Sequence, residues 1–391
     1  MPDAPKLPQL LRSLIETPSI SSTQPELDTS NRPVIDQLAT WLEDLGFRIR
    51  IWPAHETDEK VNLIATLGQG SGGLILAGHT DTVPFDQNRW RHDPFRLTEA
   101  DDRYYGLGIA DMKSFFALAI EALRTFDPND FRQPLILLAT ADEETTMAGA
   151  QALSATDLQQ ARHAVIGEPT GLRPVNQHKG TMMESITLIG QSGHSSDPTY
   201  GNSALEGMHT LISRLLAFRD TLQRQHHNPA FQVAYPTLNL GHIHGGDNPN
   251  RICGECELQL DLRPLPGMAL DSLRDQLQQI TATTAAELGL DYRFTSLFNG
   301  VEALYTPATA PIVRAAEQLT GASTETVAFA TEGPFLSKMG IDTLILGPGD
   351  IAQAHQPNEY LELARIEPMV TLLRRLIARF CIEPAKPLTK A

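Results

Sequence analysis

An α/β protein with a mainly parallel sheet and a smaller inserted α+β domain is predicted by three observations. Short, wholly apolar runs alternate with amphipathic stretches of helical spacing, the pattern of strands buried between helices. Those runs are Leu74–Ala77, Leu135–Ala139, Ala164–Ile166 and Thr343–Leu346, and each gives way to Gly, Thr or Pro and then to polar residues. Between the third and fourth, the pattern changes. Cys256, Leu258, Leu260 and Leu262 alternate with Glu257, Gln259, Asp261 and Arg263, as in a sheet with one wet face.

In chain order, helices are expected over 6–16 and 31–45. The second carries Val34, Ile35, Leu38, Trp41, Leu42 and Leu45 at helical spacing, with Gly46 as its stop. Strands follow at 47–52, 61–67 and 74–77, the last halted by Pro84. After a loop with Trp90, His92 and Pro94, an apolar helix covers 114–123. A strand at 135–139, a further helix and a short strand at 164–166 complete the first part. The middle segment reads as strand 182–190, helix 203–219, strands 237–243 and 256–263, helix 269–288 and strand 291–297. That order is βαββαβ, a ferredoxin-like split unit. It sets an inserted domain at 179–292 between a first part, 1–178, and a second, 293–391. The strand at 343–346 and a helix over 362–380 close the chain.

The 391 residues carry 47 acidic against 31 basic side chains, a net charge of -16, without a Lys/Arg run. A nucleic-acid partner is therefore not expected, and no stretch approaches the about 20 apolar residues of a membrane span. The three cysteines suit a reducing compartment, and Met-Pro-Asp-Ala-Pro-Lys is no leader sequence, so a cytoplasmic location is expected. Cys253-x-x-Cys256 lacks a second pair and lies against a strand pattern, which makes it incidental.

Candidate chemistry sits where the runs end. His79 and Asp81, two apart on an extended segment, point the same way. Asp111 precedes a helix, where an N-cap role alone would account for it. Glu143, Glu144 and Glu168 follow two other runs, and His355 follows the last. Ligands of open α/β sheets bind beyond the carboxyl ends of the strands, so these residues share one topological position. Two imidazoles and several carboxylates suit a pair of zinc-like ions rather than magnesium or calcium, with cobalt an acceptable substitute. Adjacent Glu143 and Glu144 diverge, leaving one to ligate and one to act as general base. Asp81 is placed to accept the second N–H of His79.

These stretches resemble a known family. His79-Thr-Asp-Thr-Val-Pro84, Gly106-Leu-Gly-Ile-Ala-Asp-Met-Lys113, Ala141-Asp-Glu-Glu144, Gly167-Glu-Pro-Thr170 and His355-Gln-Pro-Asn-Glu359 are similar to the motifs of the co-catalytic, dinuclear metallopeptidases and aminoacylases. Gln191-Ser-Gly-His-Ser-Ser-Asp-Pro198, the stretch Tyr235 to Gly246, Asn250-Arg-Ile-Cys253 and Asp261-Leu-Arg-Pro-Leu-Pro-Gly267 extend the likeness across the inserted domain. The resemblance implies that Asp111 bridges two ions, completed by His79 and Glu168 on one side and by Glu144 and His355 on the other. It implies Glu143 as general base, Asp81 as the partner of His79, and His194 as an oxyanion donor from a lid that also dimerises. Arg251, with Asn250 beside it, would meet a substrate α-carboxylate. Glu332, which otherwise caps the next helix, would read a distal ammonium. The implied reaction is hydrolysis of a small N-acyl amino acid, N2-acetyl-L-ornithine first, within arginine biosynthesis. Another acyl group or a dipeptide is the nearest alternative, and a non-catalytic protein that binds through its metals is a more distant one. His226, His227 and His242 are read as structural.

Overall fold

The computed structural model describes residues 5–54, 59–158 and 161–383. Met1 to Ala4, at the start of the stretch read for a leader, lie outside them. The chain divides into two compact units, 1–176 with 306–325 and 331–391, and 177–305 with 326–330. The expected domain edge at 292 falls inside the strand Asp291–Ser296, which belongs wholly to the second unit.

The first unit is α/β. Its sheet runs, in spatial order, Arg48–Pro53, Val61–Leu67, Leu135–Thr140, Leu74–His79, His163–Ile166 and Asp342–Ile345. The last four strands are mutually parallel, while the first two pair antiparallel. The parallel strands are buried on both faces, as their unbroken apolar character requires. Along the strand Leu74–His79, Leu74 and Leu76 enter the larger core with Leu10, Val34, Phe115, Ile312 and Met369. Ile75 and Ala77 face the smaller core with Leu153, Leu158 and Leu336. The larger core is closed by helices Leu7–Ile15, Arg32–Asp44, Ser114–Leu123, Pro311–Thr320 and Ile366–Ile377.

Some expectations differ in detail. The helix expected over 362–380 begins at Ile366, because Tyr360–Glu362 is a strand paired with Arg103–Tyr105. The helix after Glu144 is two four-residue turns, Ala148–Gln151 and Ala155–Leu158.

The second unit has the strand order Thr237–Gly245, Glu255–Arg263, Met182–Ile189, Asp291–Ser296, all antiparallel. Helices Ala204–Gln225 and Leu270–Leu288 supply its core through Met208, Leu211, Leu215, Leu273 and Leu277. Ser203 caps the first helix by accepting the Glu206 N–H, and Gly289, at φ +64°, ends the second. Connectivity and order are those of a ferredoxin-like unit.

Candidate active site

The parallel strands of the first unit end at one edge of the sheet, and their last residues carry the expected donors. His79 is the final residue of its strand. Thr140 ends the next, and Asp142, Glu143 and Glu144 follow it. Ile166 ends the third, two residues before Glu168. Two glycines let the fourth contributor approach. A Cβ on Gly78 would lie 2.2 Å from Cε of Met112, and one on Gly167 would lie 2.1 Å from the Phe115 ring. Bare backbone at these two strand tips therefore admits the segment Asp111–Phe115. Asp111 is not the N-cap of the helix behind it, because that helix starts at Ser114 with Lys113 in the cap position.

Asp111 lies between two imidazoles. Its Oδ1 is 3.3 Å from Nε2 of His79, and its Oδ2 is 3.5 Å from Nε2 of His355. Glu168 Oε1 is 3.7 Å from the same nitrogen of His79, and Glu144 is 3.0 Å from that of His355. Donor atoms of His79, Glu143 and Glu168 fall within 4.8 Å of one another, as do those of His79, Asp111 and Glu144. One carboxylate shared between two histidines, each with a second carboxylate, is an arrangement for two neighbouring cations.

The electrostatics favour the same conclusion. Burial opposes charge on His79, but the carboxylates of Asp111, Asp81 and Glu168 hold its pKa well above the ordinary value. Asp111 and Glu144 push His355 up to about 10. Asp111 resists its own desolvation and stays well below the usual carboxylate range, because both imidazoles face it. Desolvation raises Glu143 and Glu168 well above theirs, and neighbouring carboxylates add to it. In the metal-free pocket Glu143 and Glu168 therefore favour their protonated forms, and the crowded carboxylates are a donor set that, in place of those protons, could hold cations. The donor set fits them: imidazole and carboxylate oxygen suit zinc and its neighbours.

Asp81 does more than face His79. Nδ1 of His79 meets the backbone carbonyl of Asp81 at 3.0 Å, while the carboxylate lies 3.6 Å away. That carboxylate, fully buried, accepts the backbone N–H groups of Glu143 at 3.3 Å and Glu144 at 3.1 Å. It therefore fixes the two-glutamate turn as well as the histidine. Asp142 sits in the left-handed region just before that turn and is held by the Lys60 ammonium at 3.0 Å and the Ser21 hydroxyl at 2.9 Å.

Glu332 occupies the N-cap position of Gly333–Lys338 without a capping hydrogen bond. It is 2% exposed, and among the described residues neither carboxylate oxygen has a hydrogen-bond partner. Desolvation lifts it to about 7, with the His79 charge pulling it back. Lys113, Lys60 and Glu359 are further buried charges here that sequence reasoning passed over. Lys113 donates to the Thr17 carbonyl at 3.0 Å, and burial lowers it to about 7. Lys113 and Glu359 each had a sequence signal, as the last residue of the Gly106–Lys113 and His355–Glu359 motifs, and Lys60 had none.

In the second unit, His194, Asn250 and Arg251 come together. His194 and Arg251 form an isolated antiparallel bridge, and the Asn250 carbonyl accepts the Ser195 N–H at 3.1 Å. Nδ1 of His194 accepts the Ser196 N–H at 3.2 Å, which assigns the proton of the neutral ring to Nε2. Arg251 is paired with Asp247. Cys253 and Cys256 are free thiols with no part in these clusters.

A model of "Peptidase family M20/M25/M40" matches residues 75–379. An acetylornithine deacetylase of Edwardsiella ictaluri (strain 93-146) is 52% identical over 377 residues, covering 96% of this chain and 98% of the relative. A tripeptidase from Staphylococcus aureus superposes with a TM-score of 0.74 at 21% identity, over 95% of this chain and 97% of that one. A dinuclear metal-binding M20 peptidase from Bacillus subtilis superposes at 0.65 and 15% identity, over 95% and 97%.

Proposed function

The chain belongs to peptidase family M20/M25/M40, and on that premise we propose that it removes the acetyl group from N2-acetyl-L-ornithine, giving L-ornithine and acetate. The chain is a hydrolase of linear amides. The observation that carries the reading is the Asp111 carboxylate, whose two oxygens each face a different histidine while Glu143 stays beside them. His79, Glu168 and Asp111 would hold one divalent ion, zinc or cobalt, and Glu144, His355 and Asp111 the other. When bound, the ions supply polarisation of the amide carbonyl and a water acidic enough to be deprotonated near neutral pH.

The protein's own groups do the rest. Glu143 takes a proton from the attacking water at its carboxylate and later delivers it to the amide nitrogen as the C–N bond breaks. The Nε2–H of His194 suits donation to the carbonyl oxygen as negative charge develops there. Arg251, with Asn250, binds the α-carboxylate through a guanidinium fork. Glu332, buried without a hydrogen-bond partner among the described residues, is the acceptor for the distal ammonium.

The second unit serves as the contact of a cytoplasmic homodimer. The outer strand Thr237–Gly245, with exposed Ile243, supports that role. No described helix is long and apolar enough to cross a membrane.

The test is kcat/KM for the metal-reconstituted protein on acetylornithine, succinyl-diaminopimelate and dipeptides. Acetylornithine should exceed the others by at least about tenfold, a difference of about 1.4 kcal/mol in transition-state binding. A dipeptide or succinylated substrate ahead of it would replace the proposed substrate. Absence of turnover on all of them would overturn the enzymatic reading.

A further inference from the structure

The segment that carries Asp111 has an unusual partner. Between the strand Arg103–Tyr105 and the helix at Ser114, the backbone N–H groups of Gly108, Ala110 and Asp111 point at one side chain from the far end of the chain. Glu359 Oε2 accepts the Gly108 N–H at 2.9 Å, and its Oε1 accepts those of Ala110 at 2.7 Å and Asp111 at 3.0 Å. The backbone carbonyl of Glu359 also accepts the Gly106 N–H at 3.2 Å. The next residues, Tyr360–Glu362, pair with Arg103–Tyr105. The carboxylate is 1% exposed. Four residues before it, on the same loop, stands His355.

A loop that needed only to be folded could satisfy three N–H groups with carbonyls or a neutral side chain. Here it uses a fully buried carboxyl group beside a pocket already crowded with them, which burdens the empty fold. The arrangement also joins two donors of one ion, since Asp111 is gripped by the side chain whose loop presents His355. We propose that Glu359 is the positioning residue of the metal centre, tying the Asp111 loop to the His355 loop at the spacing that two neighbouring cations require. The inference rests on the metal-centre reading above.

The test uses the full chain, stripped of metal and titrated with buffered free zinc. Bound zinc is measured by elemental analysis, and the visible spectrum after cobalt loading reports coordination geometry. In Glu359→Gln an amide nitrogen must face at least one of the three N–H groups, so the clamp cannot close. Zinc affinity should fall about 10–100-fold, the usual effect of removing a partner behind a metal ligand. The cobalt spectrum should change, and the zinc loss should persist in the folded fraction even though the metal-free melting temperature drops with a buried N–H left unsatisfied. Glu359→Asp, with a shorter carboxylate, should fall between the two.

Wild-type zinc affinity in Glu359→Gln would overturn the proposal. So would a lowered melting temperature with unchanged affinity in the folded fraction, which would assign Glu359 to the fold alone. If Glu359→Gln does not fold, Glu359→Asp is judged by the same two criteria. A wild-type chain that binds no zinc would instead overturn the metal-centre reading itself.

Discussion

Replacing Asp81 by Asn is the most informative single perturbation of this site. The substitution is nearly isosteric and fully buried, so packing changes little. What changes is acceptor capacity. The wild-type carboxylate offers Oδ1 to the Glu143 N–H and Oδ2 to the Glu144 N–H, with Nδ1 of His79 3.6 Å from Oδ1. An amide in either orientation turns an N–H donor toward one of those N–H groups and removes the negative charge behind His79. A buried donor left unsatisfied costs about 1–3 kcal/mol, which converts to roughly 5–150-fold in rate at about 1.4 kcal/mol per decade. Partners behind metal ligands independently suggest about 10–100-fold. We therefore expect kcat/KM of Asp81→Asn to fall about 10–100-fold, mainly in kcat. The assay is steady-state turnover at saturating zinc, so that weakened metal binding is not mistaken for misplaced Glu143. Activity within about threefold of wild type would refute the argument that Asp81 places the two-glutamate turn. Full recovery with added zinc would move its role from Glu143 to the metal.

Four further outcomes follow from the same geometry. Glu143→Gln should retain its metals by elemental analysis and lose about 10²–10⁴ in kcat, the usual worth of a general base. Loss of metal instead would make Glu143 a ligand. His194→Ala should lower kcat without altering metal content, and unchanged kcat would remove it from the reaction. Metal uptake should release protons and strengthen with pH, because His79 and His355 are held above their ordinary pKa in the metal-free chain and must lose their protons to bind. Calorimetry in two buffers of different ionisation heat reads this directly, and pH-independent affinity between about pH 6 and 8 would contradict it. Glu332 has a folded pKa of about 7 against 4.5, so the folded chain keeps a proton that the unfolded chain has lost across that interval. Stability should therefore fall as pH rises from 4.5 to about 7, by an amount on the order of 3 kcal/mol. Glu332→Gln should abolish that loss in urea unfolding of the metal-free protein, and an identical pH profile in both forms would rule out the buried charge.

Strands that are buried on both faces announce themselves, because every residue from Leu135 to Ala139 must be apolar. The ferredoxin-like order was legible for the complementary reason, since Cys256 to Arg263 face core and solvent in strict alternation. The helix Pro311–Thr320 was overlooked even though Pro311 and Gly321 bracket it. Its buried face includes Ala315 and Ala316, whose small side chains leave little apolar contrast to detect. The boundary at 292 failed because it was set inside the strand read at 291–297, which the βαββαβ order already counted as the last of the inserted unit.

Ligands and the groups that aim them differ in how they can be read. His79, the Glu143–Glu144 pair and Glu168 were visible as polar residues at the ends of apolar runs, a relation that is local in sequence. The partners of Asp81 and Glu359 are backbone N–H groups 62 to 63 and 248 to 251 residues away, and a backbone amide has no letter of its own. Yet the bridging role proposed for Asp111 would depend on them. Its carboxylate can span two imidazoles only if the main chain behind it is held by something other than Asp111 itself. Its backbone N–H goes to Glu359, which leaves both side-chain oxygens facing the histidines. The donor set can be inferred from composition at strand tips, while the placing of Asp111 between two histidines is a property of contacts that only the folded chain brings together.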